Sequence, residues 1–88
     1  MNEETLREMI IQTISDKSNV AITDHNINFL SNTYGISVVE LFYIIDSLEI
    51  QLETPLFGLF EESDHNILTV SNLSQHIIQI MNYKQPIM

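Results

Sequence analysis

A serine and a glutamate in the middle of the chain have the types and spacing to cap a helix and to hold an anion there. Ser37 and Glu40 form an S-x-x-E pattern, the capping box in which each side chain accepts a hydrogen bond from the other residue's backbone N–H. A hydroxyl at that point lies beside free N–H groups and the positive end of the helix dipole, and both favour an attached phosphate. Capping alone also explains the pair, so the pattern leaves a structural role and a modification site open.

The residues after Ser37 supply the helix that would position this hydroxyl. Apolar side chains recur there at i, i+3, i+4, i+7 and i+11, which is one stripe of an α-helix: Leu41, Ile44, Ile45, Leu48 and Leu52. The pattern predicts a second helix from about residue 37 to about residue 53. It ends before Pro55, because the residue preceding a proline disfavours the helical conformation.

The opposite side of this helix also carries apolar side chains. A helix with apolar residues on two faces is either buried on both or keeps one face for a partner. For the apolar residues Val39, Tyr43 and Ile50, one interpretation is burial against residues 54–68. For the carboxylates of Asp46, Glu49 and Glu53, one interpretation is a helix face that is only solvated. The partner interpretation assigns binding to Val39, Glu40, Tyr43, Asp46 and Ile50.

The chain before the serine divides into a first helix and a long connection. Helical spacing predicts a helix over residues 3–16, with Asn2 as its cap and with these residues inward: Leu6, Met9, Ile10, Thr13 and Ile14. Residues 17–36 are rich in Asn, Ser, Thr and Asp and show no clean period. Because a loop of this length in a small domain needs a packing role, we expect its apolar residues to pin it to the helices, with Phe29 as the main anchor.

The chain after the second helix predicts an irregular segment and a last helix. Pro55 and Gly58 argue against a long helix over residues 54–68, where one or two helical turns are expected. Thr69 or Ser71 then caps a helix over about residues 70–83, with Leu73, Ile77, Ile80 and Met81 inward. The tail 84–88 is expected to fray. The fold class is therefore all-α, a bundle of three to four helices in a single domain, 1–88.

Composition limits what such a domain binds. The 88 residues contain no cysteine, and twelve acids face three bases, for a formal charge of −9. This charge repels nucleic acids and anionic membranes, whereas it suits docking on basic protein patches. No stretch has the length of a membrane span or the basic start of a signal peptide, so we expect a cytoplasmic protein. An acidic surface that only maintains solubility is an equal interpretation of the charge.

Enzyme chemistry finds little support in the remaining polar residues. His25, His65 and His76 are far apart in sequence and lack the spacing of a metal-binding motif. Asp24 and His25 have no nucleophile elbow to complete a triad, and glycine-rich phosphate loops are absent. We therefore expect no catalytic residue, no metal and no enzyme activity.

The order of elements resembles the acyl carrier protein family over residues 3–82. In that family a serine at the start of the second helix carries a 4′-phosphopantetheine arm, whose thiol holds an acyl or aminoacyl group as a thioester. Ser37 occupies the position of that serine, and the connection before it has an aromatic residue, as in the family. The matching residues are Phe29, Ser37, Glu40, Leu41, Leu52, Thr69 and Val70.

The attachment motif departs from the family's Asp-Ser-Leu. Here it reads Ile36-Ser37-Val38, so the aspartate is missing. A literal Asp46-Ser47-Leu48 occurs, but the periodicity places it mid-helix, with too little helix left before Pro55. A third registration, which aligns Glu40-Leu41 without a gap, puts Gly35 at the attachment position and gives a carrier-like domain that cannot be modified.

The resemblance implies a carrier whose cofactor is 4′-phosphopantetheine on Ser37. The short chain, with no second domain, favours a freestanding carrier, which we expect to be a monomer. The resemblance also implies partners: a phosphopantetheinyl transferase and separate acyl- or aminoacyl-handling enzymes with basic docking patches. The alternative from another class is an unmodified interaction module that binds a partner through Val39, Tyr43 and Ile50.

Overall fold

The fold is built from three helices, described by a computed structural model that covers residues 2–56 and 68–84. These are α1, Glu3–Ser18; α2, Val38–Leu52; and α3, Val70–Lys84. The described ranges contain no strand. Helix α1 packs against both α2 and α3, and the predicted all-α bundle is confirmed. The predicted short fourth element falls almost entirely on residues 57–67, outside the described part of the chain.

Helix α1 begins where the sequence predicts and ends two residues later. The Asn2 Oδ1 accepts the Thr5 N–H at 2.8 Å, which confirms the predicted cap. At the other end Asn19 takes a left-handed conformation with φ 62° and donates its N–H to the Ser15 oxygen. The polar residues after position 15 therefore complete the last turn of the helix instead of interrupting it, because an asparagine tolerates the left-handed C-cap.

The core lies between the three helices and is almost entirely aliphatic. The buried apolar residues of the helices are Leu6, Ile10, Ile14, Leu41, Ile44, Ile45, Leu48, Leu52, Val70, Leu73 and Ile77. The stripe predicted for α2 is buried in full. Of the residues predicted inward on α1 and α3, Met9, Ile80 and Met81 are only partly buried against the core. Burying such aliphatic side chains is the main stabilising contribution to a domain of this size.

Residues 19–37, here called the connecting segment, are pinned as predicted. Phe29 is completely buried, and its N–H donates to the Leu68 oxygen at 2.8 Å. A second backbone bond runs from the Ser71 N–H to the His25 oxygen at 3.0 Å. The connecting segment is thereby tied to the beginning of α3 at two points.

A tyrosine closes the connecting segment on itself. The Tyr34 Oη accepts the Asp24 N–H at 2.8 Å and donates to the Asp24 oxygen at 3.0 Å. Sequence reasoning assigned Tyr34 no role, because nothing local to it indicates that its hydroxyl reaches a backbone ten residues earlier in the chain.

The chain leaves α2 through a turn organised by a glutamate. Glu53 is the left-handed C-cap, with φ 51°, and the Glu49 Oε2 accepts the Leu56 N–H at 2.6 Å. Leu56 is completely buried. The other apolar residues of the predicted irregular segment, Phe57, Leu59 and Phe60, lie outside the described residues.

Helix α3 begins at the predicted cap. The Thr69 Oγ1 accepts the Asn72 N–H at 3.1 Å, and the Thr69 oxygen accepts the Leu73 N–H. The helix includes Lys84, which the sequence assigned to the frayed tail. Residues 85–88 lie outside the described part of the chain.

Candidate functional site

Ser37 lies at the surface as the N-cap of α2, in extended conformation with φ −79° and ψ 161°. Its Oγ accepts the Glu40 N–H at 3.1 Å, and its own N–H donates to the Glu40 Oε1 at 3.0 Å. The capping box predicted from the S-x-x-E spacing is confirmed. The Ser37 Oγ is an acceptor in this box and donates to none of the described residues. A covalently attached group could therefore replace the hydroxyl hydrogen without breaking the cap.

The two residues before Ser37 determine where its hydroxyl lies. Gly35 has a left-handed φ of 65°, which a glycine adopts without strain, and its N–H donates to the Ser31 oxygen at 2.8 Å. Ile36 is 3% exposed and belongs to the core. A buried residue directly before the cap anchors the chain, so that Ser37 lies on the outside while its backbone is held from within.

The outward face of α2, here the residues Val38, Val39, Phe42, Tyr43 and Ile50, is apolar and exposed. These side chains are 53%, 60%, 53%, 62% and 70% exposed, in that order. The structure therefore places the predicted partner residues Val39, Tyr43 and Ile50 at the surface, on the face opposite the buried stripe.

Two members of this face were missed from the sequence. Val38 and Phe42 are four residues apart, as are Val39 and Tyr43, and residues at i and i+4 share one side of a helix. That spacing was the available signal. With all four present, the exposed apolar surface begins directly beside the Ser37 cap.

The two acidic residues predicted to bind partners differ in their surroundings. The Glu40 carboxylate is half-buried and accepts the Ser37 N–H, so it is part of the cap. Asp46 is exposed on the middle of α2. Asp46 therefore presents its charge to solvent, whereas the Glu40 carboxylate is engaged in the cap that the sequence predicts.

The rival serine lies within α2, as the periodicity predicts. Ser47 is half-buried, and its Oγ accepts a hydrogen bond from the Gln51 Nε2 at 3.1 Å. That amide also reaches the Thr13 Oγ1 on α1 at 2.9 Å. Ser47 therefore belongs to a polar contact between α1 and α2 and does not lie at a helix end.

The two described histidines make different contacts and do not form a cluster. His25 contacts Arg7 of α1 through its Nδ1 at 3.0 Å. The His76 Nδ1 donates to the Asn72 oxygen within α3 at 2.8 Å. Among residues 2–56 and 68–84, no three histidine or acidic side chains lie close enough together to hold a metal ion.

Fold and site together define a small all-α bundle whose second helix begins at an exposed, capping serine and continues as an exposed apolar face. The chain matches no protein-family model, no curated protein and no solved structure. Within the described ranges, every helix is too short or too polar to cross a membrane.

Proposed function

We propose that this protein is an acyl or peptidyl carrier, with a 4′-phosphopantetheine arm attached through a phosphodiester to Ser37. One observation carries the proposal: the Ser37 hydroxyl is exposed at the N-terminus of α2, on backbone that the core holds in place. Phosphates are favoured at such a position by free N–H groups and by the helix dipole.

The residues around Ser37 fit such an arm. The hydroxyl points away from the core, and the described residues leave its hydrogen unbonded. The arm supplies a thiol that holds an acyl or aminoacyl group as a thioester. The role of the protein is to fix the attachment point while the arm stays free in solvent. The buried Ile36 and the capping box hold the backbone at that point.

Enzymes with basic docking patches are the proposed partners, among them a phosphopantetheinyl transferase. The formal charge of −9 steers such surfaces toward the carrier and raises the rate of encounter more than the affinity. The outward face of α2 supplies apolar contact beside the attachment point. We propose a monomer that acts in the cytoplasm, does not bind nucleic acid or membranes, and is not itself an enzyme.

Intact mass spectrometry tests the attachment. The chain is incubated with coenzyme A and a broad-specificity phosphopantetheinyl transferase, and the mass is expected to rise by one phosphopantetheine. Ser37→Ala is expected to abolish the gain, while the matched control Ser47→Ala retains it. If Ser47→Ala abolishes the mass gain instead, the arm is attached to Ser47 and the assignment to Ser37 is wrong. The absence of any mass gain in the unaltered chain contradicts the proposal.

An unmodified interaction module is the second candidate, favoured by the outward face of α2. Five large apolar side chains, each more than half exposed on one helix, form the kind of contiguous apolar surface that marks protein–protein interaction sites. This candidate requires no reaction at Ser37. Failure of the mass gain, together with binding of a partner that Ser37→Ala preserves and Tyr43→Ala weakens, would favour it over the carrier.

A further inference from the structure

A contact between α1 and the connecting segment depends on the protonation state of a histidine. We propose that Arg7 and His25 form a pH-sensitive latch, which fastens the connecting segment to α1 while His25 is neutral and releases it when His25 is protonated. The inference concerns the fold and does not depend on whether Ser37 is modified.

The chemistry of the two side chains fixes the direction of the hydrogen bond. The Arg7 Nη1 lies 3.0 Å from the His25 Nδ1. A guanidinium has only donors, so the Nδ1 must accept and the ring proton is on Nε2. A protonated ring has donors at both nitrogens, which would bring an N–H against an N–H and one positive charge against another.

The charged groups nearby do not remove this conflict. On α1, the Arg7 Nη2 is paired with the Glu3 Oε2 at 2.6 Å, so that carboxylate is already engaged with the arginine. On the connecting segment, the Asp24 Oδ1 accepts the Asn26 N–H. Helix α3 has no acidic residue in its first turn. Among the described residues, no carboxylate forms an ion pair with His25.

Arg7 is itself held in a way that limits its retreat. Its Nε is buried without a hydrogen-bond partner among the described residues, and its side chain is only 26% exposed. A neutral acceptor stabilises a guanidinium in this position by accepting one of its hydrogen bonds. A second cation beside it is unfavourable, because little solvent is present to screen the two charges.

Loss of the contact between Arg7 and His25 would also affect the backbone hydrogen bonds at the beginning of α3. The His25 oxygen accepts the Ser71 N–H at 3.0 Å, and Phe29 of the same segment bonds to Leu68. Loss of the side-chain contact therefore loosens the backbone pairing that ties the connecting segment to α3. The Ser71 amide is the natural reporter of this event.

His76 provides a matched control within the same chain. Its Nδ1 donates to the Asn72 oxygen at 2.8 Å, a bond that both the neutral and the protonated ring can make. A protonated His76 ring therefore keeps its contact. Only protonation of His25 is therefore expected to break a contact.

Nitrogen NMR of the full chain tests the latch without a substitution. At pH 7.5 the His25 Nδ1 is expected to be unprotonated and the His76 Nδ1 protonated. As acid protonates the His25 ring, which the same nitrogen spectra follow, exchange of the Ser71 amide relative to its intrinsic rate is expected to rise about tenfold. A proton on the His25 Nδ1 at pH 7.5, or unchanged Ser71 protection, overturns the proposal.

Two variants assign the response to one ring. In His25→Asn, the Oδ1 replaces the ring acceptor and does not titrate, so the Ser71 response is expected to disappear. In His76→Asn it is expected to persist. A response that survives His25→Asn or is lost with His76→Asn contradicts the latch, and if His25→Asn does not fold, the NMR data on the unaltered chain decide the question.

Discussion

Two helices of this protein begin with a capping hydroxyl, and only one of those hydroxyls is open to solvent. Ser37 caps α2 at the surface, whereas Thr69 caps α3 with 8% of its surface exposed. Both accept a backbone N–H at 3.1 Å from the residue three positions later. The same local geometry thus forms in two environments, and the environment decides whether a cap is available to a partner or serves only the fold.

The difference arises from what lies on each cap. The connecting segment bonds on both sides of the Thr69 cap, since the Phe29 N–H donates to the Leu68 oxygen and the His25 oxygen accepts the Ser71 N–H, two residues after Thr69. Ser37 follows the turn at Gly35 and is followed by exposed Val38 and Val39. Covering a cap stabilises the fold, whereas leaving one bare keeps a reactive group accessible.

Truncation of Phe29 should have the largest effect, because this residue belongs to the segment that bonds beside the Thr69 cap and its side chain lies in the core. Phe29→Ala removes a completely buried ring and is expected to lower the free energy of unfolding by about 3–5 kcal/mol, measured by urea denaturation. Tyr43→Ala is the control from the bare side. Tyr43 is 62% exposed, so its loss should change stability by no more than about 0.5 kcal/mol. Equal losses in the two variants would mean that the outward face of α2 is not bare.

Removing the two caps should separate them by a smaller margin. Thr69→Ala is expected to cost about 2 kcal/mol and Ser37→Ala about 1 kcal/mol, the upper and middle parts of the range for N-caps. At Ser37 water can replace the lost acceptor, whereas at Thr69 the covering segment hinders it. Thermal denaturation followed by circular dichroism measures both. A larger loss for Ser37→Ala would reverse the comparison.

A change at Gly35 tests whether local backbone holds the bare cap in place. Gly35→Ala is expected to cost about 1 kcal/mol, the strain of a left-handed residue with a Cβ, since an added Cβ would meet no atom within 4 Å. Gly35→Asn should cost less, because asparagine tolerates this region. Urea denaturation of the two variants measures the difference. A loss well above this value for both would indicate a packing role that the geometry does not show.

Local sequence predicted the elements of this protein well. Four features follow from local sequence, because each depends on helical spacing or on the size of one side chain. They are the capping box at Ser37, the Asn2 cap, the buried stripe of α2 and the burial of Phe29. The sequence predicts an end for α1 two residues too early, because asparagine is favoured in turns and also takes the left-handed C-cap of a helix.

What the sequence determined by itself is a set of helices, their caps and the faces that must be buried, because these follow from local hydrogen bonding and from the helical period. Only the tertiary structure decided that the Thr69 cap is covered and the Ser37 cap is not, and that Arg7 meets His25. Those facts depend on which distant segments pack together. A contact between residues on different elements has no local sequence pattern from which it could be predicted.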